Sequence, residues 1–496
     1  MKRIHNDLGV GASNAGSMNA PAPVPLCVDL DGTLIRTDLV WESLVRLLRR
    51  NPLYAAVLPF WALRGLAWLK RQLAARTNLD PATLPYDQPF LEFLRCERRQ
   101  GRPIFLVTAS DGQLAAAVAA HLGLFTEVLA SDGRTNLRGR VKAARLVERF
   151  GEGGFDYAGN SSDDLPVWAS ARQALVVNAS PALAARAARR ATVSRVFSSP
   201  IPWRSSVAQA MRPHQWAKNL ILFVPLITSH QITRPALALK GAGAFAAFCL
   251  CASGVYVLND LLDIDADRRH PVKCSRPFAA GALPIPAGLA AFPLLLAAGL
   301  LLAWRLSPSF AAVLGLYLVL TTSYSWRLKQ VPLLDVFCLA ALYTIRLIGG
   351  HESTGVEYSF WLLVFSMFIF LSLALLKRFV ELDAARRQNK PALEGRGYAA
   401  GDAELVATLG STSGYLAVLV LALYVNSEKV VVLYRHPMLL LLICPLLLYW
   451  ISRAWMIAHR GQMHGDPLVF ALKDRASYGV GLVTLAVLWA ATGAYP

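Results

Sequence analysis

Apolar residues recur in three different ways along the chain. Over residues 1–24 there is no period, only Ala, Gly, Pro and Asn among a few charges, which predicts a disordered tail. From 25 to 196 short buried-strand runs, such as those opening C27-VDLDGTLIRTD-38 and I104-FLVTAS-110, are separated by segments of helical period. That alternation predicts a soluble α/β domain, Rossmann-like with a parallel sheet. Residues 39–98, between the two strands, read as a helical insertion resembling a small cap. After a linker over 197–210, apolar stretches of roughly 17–25 residues, the length that crosses a bilayer, fall at 239–261, 286–305, 308–326, 332–350, 358–377, 405–425, 437–456 and 477–495. A shorter one at 218–231 brings the expectation for 211–496 to an all-α bundle of nine transmembrane helices.

Composition supports this division. The chain of 496 residues is 55% hydrophobic, with mean hydropathy +0.41, too apolar for an ordinary soluble protein. Its net charge of +18 suits loops facing anionic lipid, and no nucleic-acid partner is expected. Lys and Arg concentrate at 262–285, 327–331, 378–404 and 457–476. The positive-inside rule places these loops, and the N-terminal domain, on the cytoplasmic side of the cell inner membrane. No apolar secretory core precedes Pro25. The seven cysteines are scattered without a C-x-x-C pair, so neither a disulfide framework nor a zinc site is expected.

The acids of V255-YVLNDLLDIDADRRHPVKCSRP-277 begin at the membrane edge, where an unneutralised carboxylate is costly. Asn259, Asp263 and Asp267 are spaced by four. On one continuous helix they would form a ladder of oxygen ligands about 6 Å apart per step, suited to Mg²⁺. Lys273 and Arg276 would meet phosphate oxygens the metal does not reach. The alternative is a solvated loop with internal ion pairs.

These residues resemble the N-D-x-x-D-x-x-x-D signature of the UbiA superfamily of membrane prenyltransferases. The resemblance implies a nine-helix bundle that uses Mg²⁺ to bind a diphosphate. M211-RPHQWAKNLILFVPL-226, H270-PVKCSRPFAAG-281, L376-KRFVEL-382 and D466-PLVFALKDR-475 narrow it to the decaprenyl-phosphate phosphoribosyltransferase branch. Aromatic prenyltransferases carry a second D-x-x-x-D, whereas this chain reads K377-RFVELDAARR-387. By this resemblance the partners are phosphoribosyl diphosphate and a polyprenyl phosphate. Lys273 and Arg276 would serve the first, and Arg212, Lys218, Lys377 or Arg378 the second. Arg212 and Lys218 could equally be topology signals.

The soluble half resembles the haloacid dehalogenase (HAD) superfamily in four motifs: C27-VDLDGTLIRTD-38, I104-FLVTAS-110, G139-RVKAARL-146 and Y157-AGNSSDDLPVW-168. The resemblance implies a phosphatase with Asp29 as nucleophile and Asp31 as general acid/base. Thr108 and Lys142 would hold phosphoryl oxygens. Mg²⁺ would lie on Asp29, the carbonyl of Asp31 and Asp164. The family usually has Asp where this chain has Asn160, which leaves the last ligand open, with Asp163 a substitute. In the cap, N51-PLYAAVLPFWALRGLAWLKRQL-73 mixes Trp, Phe and Leu with Arg64, Lys70 and Arg71. It is either ordinary cap packing or an interfacial helix on the membrane.

The fusion suggests consecutive steps: phosphoribosyl transfer to a polyprenyl phosphate, then removal of the 5-phosphate. The product would be a lipid-linked ribose for cell-envelope glycan synthesis, on the way to an arabinose donor. The alternatives are an aromatic prenyltransferase whose phosphatase acts elsewhere, and a transporter or lipid-binding protein with a scaffold domain. A homo-oligomer is a further partner to test.

Overall fold

The computed structural model describes residues 23–198, 202–393, 395–427, 430, 433–463, 467–471 and 473–493. The expected tail therefore lies outside the described residues up to 22, as do Asp466 and Leu472 of one quoted motif. The chain forms two compact units, Met1–Ser206 with Asp260–Ala287, and Val207–Asn259 with Gly288–Pro496.

The first unit is built on six strands: β1 (Leu26–Val28), β2 (Ile104–Asp111), β3 (Glu127–Ser131), β4 (Asp156–Gly159), β5 (Gln173–Val177) and β6 (Val193–Phe197). They form one parallel sheet in the order β3-β2-β1-β4-β5-β6. Strand alternation sorts their side chains into two layers. Leu26, Val28, Leu175 and Val177 pack with Leu114, Val118, Phe90 and Leu94 on one face. Cys27, Ala174 and Val176 pack with Leu146, Trp168 and Ala187 on the other. Both faces are dry, which is why the strands read as nearly continuous apolar runs. The order reverses between β1 and β4, and an open α/β sheet leaves its ligand crevice at the carboxyl ends of the strands there. The N–H of Asp29 continues the ladder one residue past β1 by donating to the Ala158 carbonyl at 3.0 Å. This sets its side chain at that edge.

In the second unit seven helices are long and apolar enough to cross a membrane: Pro235–Leu262, Ile285–Leu306, Pro308–Trp326, Leu334–Thr354, Phe360–Arg387, Ala400–Val425 and Pro437–His459. Nine are not found among the described residues. The expected span at 218–231 is a 3-10 helix, Pro213–Phe223, followed by the five-residue Val224–Thr228. Pro225, inside the expected span, has no N–H to give to residue 221 and so denies the chain a continuous α-helix there. The last apolar helix, Arg475–Ala491, has 17 residues and stays below the length of the other seven. Leu294, Leu301, Trp304 and Val319 are exposed on their helices, an outward apolar surface that only a lipid solvent tolerates.

Candidate functional site

At the sheet edge of the first unit four elements converge. Asp29 follows β1, and Lys142 comes from helix Arg140–Phe150. Tyr157 lies on β4, and Asp164 sits in the turn after it. All four side chains are buried. Lys142 Nζ donates to Asp29 Oδ1 at 2.7 Å and to the Tyr157 hydroxyl at 2.8 Å. Tyr157 in turn donates to Asp164 Oδ1 at 2.7 Å. Burial pushes the Asp29 carboxyl up to about 7 even with the Lys142 ammonium opposing it. Burial alone would favour neutral Lys142, but the carboxylates of Asp29 and Asp164 outweigh it and raise the amine.

Asp31 is held differently. Its Oδ1 accepts from the Leu39 N–H at 2.8 Å, and its Oδ2 accepts from Ser110 Oγ at 2.6 Å, with Thr108 Oγ1 at 3.4 Å. Burial, reinforced by the Asp38 carboxylate, lifts it to about 6, so the protonated form is accessible near neutrality. A nucleophile beside an ammonium and an acid poised near neutral pH are the two groups phosphomonoester cleavage needs.

Asp164, expected as a metal ligand, accepts several hydrogen bonds within its own turn. Its Oδ2 accepts from the N–H groups of Asn160 and Ser161 at 3.0 and 2.9 Å and from Ser161 Oγ at 3.1 Å. Held in this way, the carboxylate shapes the turn and aims Asn160. Asp163 is turned toward Arg138, at 2.6 Å. The Asn160 amide instead lies against Gly32, where a Cβ would come within 2.0 Å of Nδ2. Gly32, at φ +74°, admits this approach without steric cost. Among the described residues no three His, Cys, Asp or Glu side chains gather as a metal cluster. Asp29, Asp31, Gly32 and Asn160 line this crevice, and carboxylate, carbonyl and amide oxygens are the hard donors that suit Mg²⁺.

A cavity of about 870 Å³ opens over Asp29 and Asp31. Lys70, Arg138 and Lys142 line its floor, and Trp41, Leu58, Ala62, Leu66 and Leu69 its wall. Lys70 reaches in from the cap and donates to the Ala109 carbonyl at 2.6 Å. In the same cap Leu53, Phe60, Leu63 and Leu66 stand exposed. Trp61 and Trp68 are instead partly covered, with Arg76 over the ring of Trp61 at 4.9 Å and Arg64 over Trp68 at 5.8 Å.

The second unit holds a cationic pocket of about 450 Å³ lined by Arg212, Gln215, Lys218, Tyr256, Lys377, Val380 and Glu381. Its geometry follows from the 3-10 helix Pro213–Phe223. Side chains three apart eclipse one another in that conformation, so positions 215 and 218 form one row, and Arg212, just before the helix, lines the same pocket. The neighbouring positions 216 and 219 anchor the segment. Trp216 Nε1 donates to Ser253 Oγ at 3.1 Å, and Asn219 Oδ1 accepts from Arg346 Nε at 2.9 Å. Arg212 adopts φ +52° and sets its guanidinium over the Tyr256 ring at 5.0 Å. Lys218 and Lys377 also border a smaller apolar slot with Leu339, Tyr343 and Leu373. The two lysines thus stand where a polar chamber meets an apolar one.

Arg378 does not join this pocket. It is fully buried, paired with Asp335 at 2.6 Å and with Glu381, its guanidinium over the ring of Tyr398. The expected acid ladder is also interrupted. Helix Pro235–Leu262 carries Asn259 and stops, and Asp263 begins a new helix, Ile264–Arg269. Arginines neutralise these acids: Arg276 contacts Asp267 at 2.7 Å and Asp260 at 3.2 Å, and Arg49 lies 3.5 Å from Asp263. Lys273 is exposed in the short 3-10 turn that follows. Sequence reasoning missed Tyr157, Ser110, Gln215 and Tyr256. Only Ser110 left a signal, as the hydroxyl closing the second strand motif.

A model of the UbiA prenyltransferase family matches residues 222–473, and one of haloacid dehalogenase-like hydrolases matches residues 26–168. The chain is 38% identical over 466 residues to the uncharacterized protein y4nM of Sinorhizobium fredii, covering 92% of this chain and 89% of that one. It is 37% identical to nodulation protein NoeC of Azorhizobium caulinodans, over 57% of this chain and 92% of that protein. It is 36% identical to the decaprenyl-phosphate phosphoribosyltransferase of Mycolicibacterium smegmatis, over 37% of this chain and 59% of that one.

Proposed function

The chain belongs to the UbiA prenyltransferase family and carries a haloacid dehalogenase-like domain, and from that premise we propose a bifunctional membrane enzyme. Its transferase moves 5-phosphoribose from phosphoribosyl diphosphate to a polyprenyl phosphate. Its phosphatase then removes the 5-phosphate, leaving a lipid-linked ribose for envelope glycan synthesis. The enzyme would sit in the cytoplasmic membrane with the phosphatase on the cytoplasmic side. A nine-span bundle would require the pieces at 213–228 and 475–491 to cross as well.

The observation that carries this reading is that Arg212, Gln215, Lys218 and Lys377 line one pocket and that the two lysines also border an apolar slot. Such cations suit a phosphate headgroup whose tail enters apolar surroundings. The named phosphoribosyltransferase relatives and the missing second acid pair point the same way. Held there, an anionic phosphate oxygen attacks ribose C1 without a base, as the C1–diphosphate bond breaks. Asn259, Asp263 and Asp267 would hold Mg²⁺, with Lys273 and Arg276 beside them. The ion would offset charge on the departing diphosphate.

In the phosphatase, the Asp29 carboxylate attacks phosphorus while Asp31 protonates the leaving ribose oxygen. Asp31 then takes a proton from water, which hydrolyses the aspartyl phosphate. Lys142 balances charge around Asp29, and Thr108, through Ser110, helps to fix Asp31. Asp29, the Asp31 carbonyl and the Asn160 amide would hold Mg²⁺, with Asp164 organising that turn.

The test of the pocket is kinetic. A charge-assisted hydrogen bond contributes roughly 1.5–3 kcal/mol, so Lys218→Ala or Lys377→Ala should raise KM for polyprenyl phosphate about 10–100-fold and spare hydrolysis of a soluble phosphomonoester. Unchanged KM in both variants would refute the assignment.

A further inference from the structure

The segment 260–287, which carries the acids and cations of the transferase motif, packs in one compact unit with the phosphatase fold, and its contacts there are specific. Glu42, fully buried on helix Leu39–Arg50, accepts from Arg268 Nη2 and Nη1 at 2.6 and 3.2 Å. The same carboxylate accepts from Arg46 Nη1 at 2.9 Å and Thr37 Oγ1 at 2.7 Å. Arg46 also binds Asp265, through Nε at 2.9 Å. Arg268 carries the restraint onward, since its Nε donates to the Ala279 carbonyl at 2.9 Å.

A second anchor follows at Gly281. It adopts φ +69° and packs so closely on Arg36 that a Cβ would sit 2.7 Å from Arg36 Cβ. Lys273 and Arg276 therefore lie on a stretch fixed at both ends, at Arg268 and at Gly281, and Asp267 stands next to its first anchor. A buried carboxylate shared between two guanidinium groups adds little net stability over an apolar substitute, but it specifies one geometry.

We propose that Glu42 and Arg46 are positioning residues for the transferase. On this account helix Leu39–Arg50 serves both reactions. Its first N–H, from Leu39, fixes Asp31 of the phosphatase. One turn further on, Glu42 fixes the loop that presents Asp263, Asp267 and Arg276 to phosphoribosyl diphosphate. The transferase then requires the fold of the phosphatase domain but none of its chemistry. This rests on the reading of 259–276 as the diphosphate-binding segment.

The experiment uses the full chain with Glu42→Gln, Arg268→Gln, their double variant, and the milder Arg46→Gln. Four readouts are taken: kcat and KM for phosphoribosyl diphosphate, hydrogen exchange of peptides covering 264–281, and hydrolysis of p-nitrophenyl phosphate. The expected result is a fall of tenfold or more in kcat/KM, carried by KM, with faster exchange in 264–281 and p-nitrophenyl phosphate hydrolysis within twofold of the parent. The double variant should lose less than the two single losses combined, because both remove the shared Glu42–Arg268 pair. Transferase kinetics and exchange unchanged in Glu42→Gln and Arg46→Gln would overturn the proposal. So would an equal loss of both activities in both variants, which would make these residues general supports of the fold. Should the parent form no ribosylated lipid, the proposed function fails, and the exchange measurement still decides whether Glu42 and Arg46 hold the segment.

Discussion

Replacing Lys142 by Met tests the reading of the phosphatase site most severely. The ammonium is the cation in contact with Asp29, at 2.7 Å, and lies 3.8 Å from Asp164; the side chain is almost wholly buried. Methionine keeps the volume and removes the charge. Taking one partner from a buried pair costs roughly 3–5 kcal/mol, a loss the domain can limit by protonating Asp29. That carboxyl already titrates at about 7 with Lys142 in place. Losing the ammonium disfavours the ionised carboxylate by roughly 3 kcal/mol, which leaves on the order of one hundredth of the nucleophile ionised near neutral pH. Lys142→Met should therefore lower phosphomonoester turnover about 100-fold, with a thermal transition depressed by several degrees. The deficit relative to the parent should narrow as pH rises, because Asp29 ionises while the need for protonated Asp31 lowers both proteins alike. The assay is p-nitrophenyl phosphate hydrolysis from pH 6 to 9, beside the transferase reaction, which should persist. Turnover within tenfold of the parent at pH 7, or a loss that higher pH does not relieve, would refute the role given to Lys142.

Three further outcomes are expected. Because Asp29 must be ionised and Asp31 protonated, with their carboxyls raised to about 7 and 6, parent phosphatase activity should peak between these values and fall on both sides. Raising Mg²⁺ should move the acid limb lower, and a flat profile from pH 5 to 9 would contradict this. Arg378→Leu should act on stability, lowering it by about 3 kcal/mol because buried Asp335 loses its contact cation and keeps only Arg396 at 3.8 Å, and lipid-phosphate KM in the surviving folded protein should stay near the parent's. Phe60→Ser with Leu63→Ser, at exposed cap positions, should weaken hydrolysis of a lipid phosphate in vesicles and leave a soluble sugar phosphate unaffected; equal effects would make the cap ordinary packing.

Much of the first unit could be read from the sequence because its signals are local. A buried strand followed by D-L-D-G-T, a hydroxyl closing the next strand and a lysine opening a helix each announce themselves within a few residues. Tyr157 gave no such signal, since a tyrosine on a central strand reads as core until its hydroxyl is seen between Lys142 and Asp164. Asp164 hid part of its role for the converse reason: an acid in a family motif was expected to bind metal, while the hydrogen bonds it also accepts come from the backbone of its own turn.

In the membrane half hydrophobic length located the seven long helices but could not distinguish α from 3-10 winding at 213–223. That winding sets Gln215 and Lys218 in one row of the pocket that Arg212, just before the helix, also lines. Periodicity likewise implied one helix through 259–267. The break at Asp263 and the arginines that neutralise these acids depend on residues as distant in sequence as Arg49.

The most direct measurement is mass spectrometry of the lipid formed when purified parent and Asp29→Asn proteins are given phosphoribosyl diphosphate, polyprenyl phosphate and Mg²⁺. The parent should yield polyprenyl-phosphoryl ribose. Asp29→Asn, which cannot form the aspartyl phosphate and leaves the residues of 259–276 untouched, should accumulate the 5-phosphorylated lipid instead. Absence of any ribosylated lipid from the parent, or the same dephosphorylated product from both proteins, would contradict the account.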